Sequence, residues 1–126
     1  MIAVERGGVI LHTERYRECV AFYRDVIGLP VEFTKEAPDD PLTCLTLGQA
    51  YLTIETGGVA RDAAKTRREN PVTIRLNVHD VEAAARYLRS HRIVVSVATY
   101  PSGVIGRFSG PDGNPCQLRD QGRFHP

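Results

Sequence analysis

The sequence predicts an α+β protein built from two tandem βαβββ modules, with curled sheets enclosing a shared cleft. Two observations carry this. The first is internal repetition. Residues 9–31 read VILHTERYRECVAFYRDVIGLPV and residues 74–95 read IRLNVHDVEAAARYLRSHRIVV. Each is an apolar strand, a polar turn, an amphipathic helix and a second apolar strand. A supersecondary unit used twice buries its apolar face against its copy. The second is punctuation: each copy is followed by two strand-like runs around a tight-turn signal, Gly48-Gln49 in one and GPDGN (110–114) in the other. Segregated helices and mixed sheets of this kind make an α+β architecture, and function is expected in the cleft between the modules.

The elements follow in order. Residues 8–13 read as the first strand. A helix is expected over 14–27, because Tyr16, Cys19, Val20, Tyr23, Val26 and Ile27 share one face. Gly28 stops it and Pro30 prevents continuation. A strand over 30–34, the acidic loop EAPDDP (36–41) and a hairpin of 42–47 with 50–56 complete the first module, about residues 1–58. Gly57-Gly58 marks a strand stop or a close backbone approach. In the linker, about 59–70, residues 60–69 suit one short polar helix. The second module, about 71–126, has a strand over 71–78, Asp80 as N-cap, and a helix with Val81, Ala84, Ala85 and Leu88 on one face. A strand over 93–99 follows, then a hairpin of 104–108 with 116–119. Pro115 lacks an N–H and belongs at a strand start or an edge.

Composition excludes several function classes. With 126 residues the chain is expected to form a single domain. A net charge of +1 supplies no field for nucleic acid or an anionic membrane. No apolar run approaches the roughly 20 residues of a span. The opening MIAVERGGVI lacks a signal peptide's apolar core, so a cytoplasmic location is expected. Cys19, Cys44 and Cys116 are odd in number and widely spaced. That fits neither a disulfide framework nor a zinc site, and it suits small buried hydrophobes.

Three segments resemble a known family. AFYRDVIGLPV (21–31), HDVEAAARYLRSHRI (79–93) and GPDGNPCQL (110–118) are similar to signatures of the vicinal oxygen chelate superfamily. That superfamily includes glyoxalase I, extradiol dioxygenases, fosfomycin-resistance enzymes and bleomycin-binding proteins. The resemblance implies the glyoxalase/bleomycin resistance-like fold and a homodimer. Metal-dependent members hold a divalent cation with His and Glu side chains. The resemblance places those positions at Gly8, Thr53, Thr73 and Gln117, so Gly, Thr, Thr and Gln stand where His, Glu, His and Glu would be. Hydroxyls and a neutral amide make no dedicated site for such ions. No metal and no cofactor are therefore expected.

Strand alternation then gives the cleft lining. His12, Thr53, Glu55, Thr73, Arg75, Asn77 and Gln117 are the candidate ligand-binding residues, with Arg119 further along the last strand. Each has a plainer reading. Glu55 and Arg75 need a partner, and that partner is either each other or a ligand. A strand histidine such as His12 is more often a satisfied polar residue than a base. Tyr100, Arg107 and Phe108 are placed to close one end of the cleft. Three functions fit: metal-independent binding of a small polar or anionic molecule; an isomerase or lyase with His12 or Glu55 as general base and Arg75 as anion anchor; and a non-catalytic dimeric interaction module. The sequence does not choose between binding and turnover. The absence of Trp, the few aromatics and the near-zero net charge argue against bleomycin itself.

Overall fold

The computed structural model describes residues 1–125 and divides into two compact units, Met1–Ala60 and the chain from Arg61 onward. In the first unit β1 (Gly8–Thr13) is followed by α1 (Tyr16–Ala21), a π-helical continuation over Phe22–Ile27, and strands β2 (Val31–Lys35), β3 (Leu42–Leu47) and β4 (Ala50–Thr56). The sheet order is β1-β4-β3-β2, with β1 parallel to β4 and the other pairs antiparallel. One face of the sheet is apolar because the strands alternate. Leu11, Leu45, Leu52 and Ile54 are buried there with Cys19, Val20, Phe22 and Tyr23 of the helix.

The helix departs from the regular one expected over 14–27. Its second half widens to π geometry, which shifts the side-chain register. Phe22 and Tyr23, neighbours in sequence, are both buried, their rings edge-to-face at 5.0 Å. Gly28 ends the element in the left-handed region at φ 88°, and the N–H groups of Gly28 and Leu29 both donate to the Tyr23 carbonyl.

The second unit repeats the plan with β5 (Ile74–Val78), α2 (Val81–Ser90), β6 (Ser96–Tyr100), β7 (Gly103–Ser109) and β8 (Pro115–Asp120), then a 3-10 turn over Gln121–Arg123. Its order is β5-β8-β7-β6, and only β5 and β8 are parallel. Asp80 caps α2 by accepting from the Ala83 N–H at 3.0 Å. Val81, Ala85 and Leu88 of α2 are buried, and the helix packs on β7 and β8, whose Phe108, Cys116 and Leu118 are buried as well. Pro115 opens β8, a central strand, where its missing donor costs least. Cys19, Cys44 and Cys116 are all buried free thiols. No helix among the described residues is long and apolar enough to cross a membrane.

The strands expected over 71–78 and 93–99 begin later, at Ile74 and Ser96. Residues 60–69 form turns rather than a helix, because their backbone groups are used elsewhere. The Arg61 and Lys65 N–H groups donate to the carbonyls of Asp112 and Gly113, at 3.1 and 2.8 Å. Lys65 Nζ and Asn70 Nδ2 both reach Asn114 Oδ1, at 2.7 and 2.9 Å. Asp112 is fully buried and accepts from the Asn114 backbone and side-chain nitrogens. The GPDGN turn is thus the dock for the 61–70 segment, as well as a hairpin connection.

Candidate functional site

The seven sequence-predicted residues fall in two groups, one in each unit. In the second unit the register aligns Arg75, Gln117, Arg107 and Ser96 in one row across the sheet, and Asn77, Arg119, Ile105 and Ala98 in the next. These rows lie opposite the helix-covered face, as alternation predicts. Arg75 is exposed, and its Nε donates to Gln117 Oε1 at 3.0 Å. Asn77 Nδ2 donates to Gln121 Oε1 at 2.9 Å. Arg107 Nη1 donates to the Tyr100 hydroxyl at 3.2 Å, with the guanidinium 5.7 Å from that ring's centroid. Among the described residues no carboxylate lies within ion-pair reach of Arg75 or Arg107. Thr73 precedes the first residue of β5 and is exposed.

Arg119 is different in kind. It is buried, and its Nη2 donates to the carbonyls of Ser102 and Arg123. Its Nε lies 3.7 Å from the Asp120 carboxylate without a hydrogen bond among the described residues. Gly103 provides the space, since a Cβ there would sit 3.1 Å from the Arg119 guanidinium carbon. Arg123 in turn donates to the Pro101 carbonyl. Arg119 therefore clamps the C-terminal turn to the β6–β7 turn.

In the first unit His12 lies opposite Glu55 and Ile10 opposite Thr53. The Ile10–Thr53 row continues through Cys44 to Phe33. Gly57 and Gly58 both take positive φ, 122° and 69°, and pack against His12; a Cβ on Gly58 would meet the His12 carbonyl oxygen at 2.6 Å. Close approach, and not only a strand stop, explains that pair.

A third cluster on this face escaped the sequence reading. Register slips between Val31 and Phe33, and this bulge re-aims Glu32. Its carboxylate accepts from Arg6 at 2.7 and 3.1 Å, from Thr46 Oγ1 at 3.0 Å and from Cys44 Sγ at 3.5 Å. The Arg6 hydrogen bonds first, and Thr46 next, hold the Glu32 carboxyl down at about 2. Burial pushes the Cys44 thiol up, and so does its bond to Glu32, so it stays protonated and unreactive at neutral pH. Period-two alternation cannot reveal a bulge, and Arg6 lies upstream of the repeat, so no sequence signal marked this network.

A pH dependence follows. The Glu32 pKa lies below its ordinary value of 4.5, so its stabilising contribution is complete above about 4.5 and disappears as pH falls towards about 2. Glu69, held at about 2 chiefly by Arg61, behaves alike. Glu32→Gln should lower the urea midpoint at pH 7, and the gap to the parent should close between pH 4.5 and 2. A gap that stays constant over that range would contradict the network.

The donor set does not fit a divalent cation. Gly8 offers no ligand, and a Cβ there would run into the Tyr51 ring, which fills the space. Thr53 is buried in the sheet beside Cys44, and Gln117 Oε1 already accepts from Arg75 between two arginines in register. Like charge at that spacing repels a cation. Among the described residues no three His, Cys, Asp or Glu side chains converge.

Comparison with known proteins agrees with this architecture. Residues 8–118 match the model of the Glyoxalase/Bleomycin resistance protein/Dioxygenase superfamily. No curated protein matches the chain. Solved structures that share the fold include an antibiotic-binding protein from Streptomyces sp. CB03234, at 16% identity and TM-score 0.72, covering 95% of this chain and 98% of that one. A lactoylglutathione lyase from Agrobacterium tumefaciens is 18% identical at TM-score 0.70, with 91% and 92% covered. A fosfomycin resistance protein from Listeria monocytogenes, complexed with Mn(II) and sulfate, is 11% identical at TM-score 0.70, with 95% and 93% covered. The family match over nearly the whole length, together with two βαβββ units and the same fold in these proteins, shows that the chain belongs to the Glyoxalase/Bleomycin resistance protein/Dioxygenase superfamily.

Proposed function

We propose that this chain is a metal-independent member of the superfamily that binds a small polar or anionic molecule on the strand face of its second module. The observation that carries this reading is the row Arg75–Gln117–Arg107, which has no neutralising carboxylate among the described residues. Arg75 anchors the anion through its planar fork. Gln117 and Asn77 orient it, and strands hold such side chains more precisely than loops do. Thr73, just ahead of β5, extends the same surface. The antibiotic-binding relative gives a precedent within this fold for binding as a function.

The same reading includes a cytoplasmic homodimer. Ile10 and Phe33 end one row of the first module's sheet on its two edge strands, and they are 54% and 57% exposed. A second copy that covers them removes apolar surface from water and protects the edges. Native mass spectrometry of the purified protein tests both parts. The expected result is a dimer mass with no stoichiometric metal. A monomer at micromolar concentration contradicts the dimer, and one tightly bound Zn, Ni, Mn or Fe per chain contradicts metal independence.

A second reading, an isomerase or lyase with His12 or Glu55 as general base, is favoured by one observation: these two residues are direct partners across β1 and β4. The readings separate on His12→Gln, which leaves anion binding unchanged under the first and abolishes turnover under the second.

A further inference from the structure

Building on the proposed anion site, we infer that its ligand carries a dianionic tetrahedral group of the phosphate-monoester kind, held jointly by Arg75 and Arg107. Arg107 and Arg75 flank Gln117 on adjacent strands of the same sheet. Neighbouring strands lie about 4.8 Å apart, so the two arginine Cα atoms are roughly 10 Å apart. Side chains of that length can close on one small group above Gln117.

The centre of this row presents donors and few acceptors. Arg75 commits Nε to Gln117 Oε1, which leaves both of its terminal nitrogens free and the Gln117 amide nitrogen as another donor. Arg107 commits Nη1 to Tyr100, which leaves its other nitrogens available. The Tyr100 oxygen accepts that bond, so its own proton is free to donate. Tyr100 also holds the Arg107 guanidinium near its ring, which limits the motion lost on binding. Along the two rows no Asp or Glu appears, and Asp120 at the end of β8 is taken by the Val104 N–H and stands beside Arg119.

A monocarboxylate brings two oxygens and one charge to such a surface. It satisfies one guanidinium and leaves the other unpaired. A phosphate monoester brings three terminal oxygens and nearly two charges once its second proton is lost, near pH 6. It matches both arginines and the amide at once.

The test uses the full-length protein, titrated by calorimetry with phenyl phosphate and with benzoate. These share a ring and differ in the anion. At pH 7.5 phenyl phosphate should bind on the order of tenfold tighter or more. That advantage should shrink at pH 5, where the ester is a monoanion. Arg107→Gln should remove the preference while benzoate affinity changes little, and Arg75→Gln should weaken both ligands. Both side chains are exposed, and unchanged thermal melts would show that the variants fold. Equal affinity for the two ligands, or a preference untouched by Arg107→Gln, overturns the two-arginine site while leaving Arg75 as an anion anchor. Failure of both ligands to bind at millimolar concentration overturns the anion reading itself.

Discussion

Gly113→Ala should cost about 2–4 kcal/mol of stability. Gly113 sits at φ 84°, where an alanine is strained before it touches anything. Its added Cβ would then lie 2.6 Å from the Ala63 carbonyl oxygen and 2.9 Å from that of Arg61. Both are backbone atoms, so no side-chain rotation relieves the contact. Relief requires the 61–70 segment to leave the turn, and that strands Asn114 Oδ1 without Lys65 and Asn70. Differential scanning calorimetry should show a drop of about 10 °C in Tm. Gly122→Ala is the control, since nothing lies within 4 Å of its added Cβ. A Gly113 variant that melts with the parent would mean that the turn does not hold this segment.

The second large effect concerns binding. Arg75→Met should weaken an anionic ligand about tenfold or more, because a hydrogen bond to a charged group contributes about 1.5 kcal/mol or more. The fold should be unaffected. Arg75 is exposed and its described partner is the neutral Gln117, so no buried charge is orphaned. Pairing Arg75→Met with Glu55→Gln should add little to the loss. Calorimetry on the single and double variants, with thermal melts alongside, measures both quantities. Unchanged affinity in Arg75→Met would remove the anchor from the account.

Much of the fold was legible because local signals and burial agree. The repeat set the two modules, alternation set the faces, and Asp80, Gly28 and Pro115 each occupy the place their backbone chemistry dictates. The misses are equally physical. The 60–69 segment has helix-compatible composition, yet tertiary hydrogen bonds to the 110–114 turn override that propensity. The π widening at Phe22 and the bulge at Glu32 are single-residue register changes, invisible to a fixed period. Of the site, Arg75, Asn77 and Gln117 could be placed on one face by counting from the strand ends. Arg107 was assigned only to an end of the cleft, since its alignment with Gln117 depends on how the last hairpin pairs. Arg119 shares that face by alternation but is consumed by the carbonyls of Ser102 and Arg123.

The central claim is that the second module's strand face, and not the His12–Glu55 pair, receives the ligand. Amide and side-chain chemical-shift mapping during a phenyl phosphate titration tests it most directly. Saturable shifts are expected at Arg75, Asn77, Arg107 and Gln117, with His12 and Glu55 unmoved. Shifts centred on His12 and Glu55, with the arginine row silent, would contradict it.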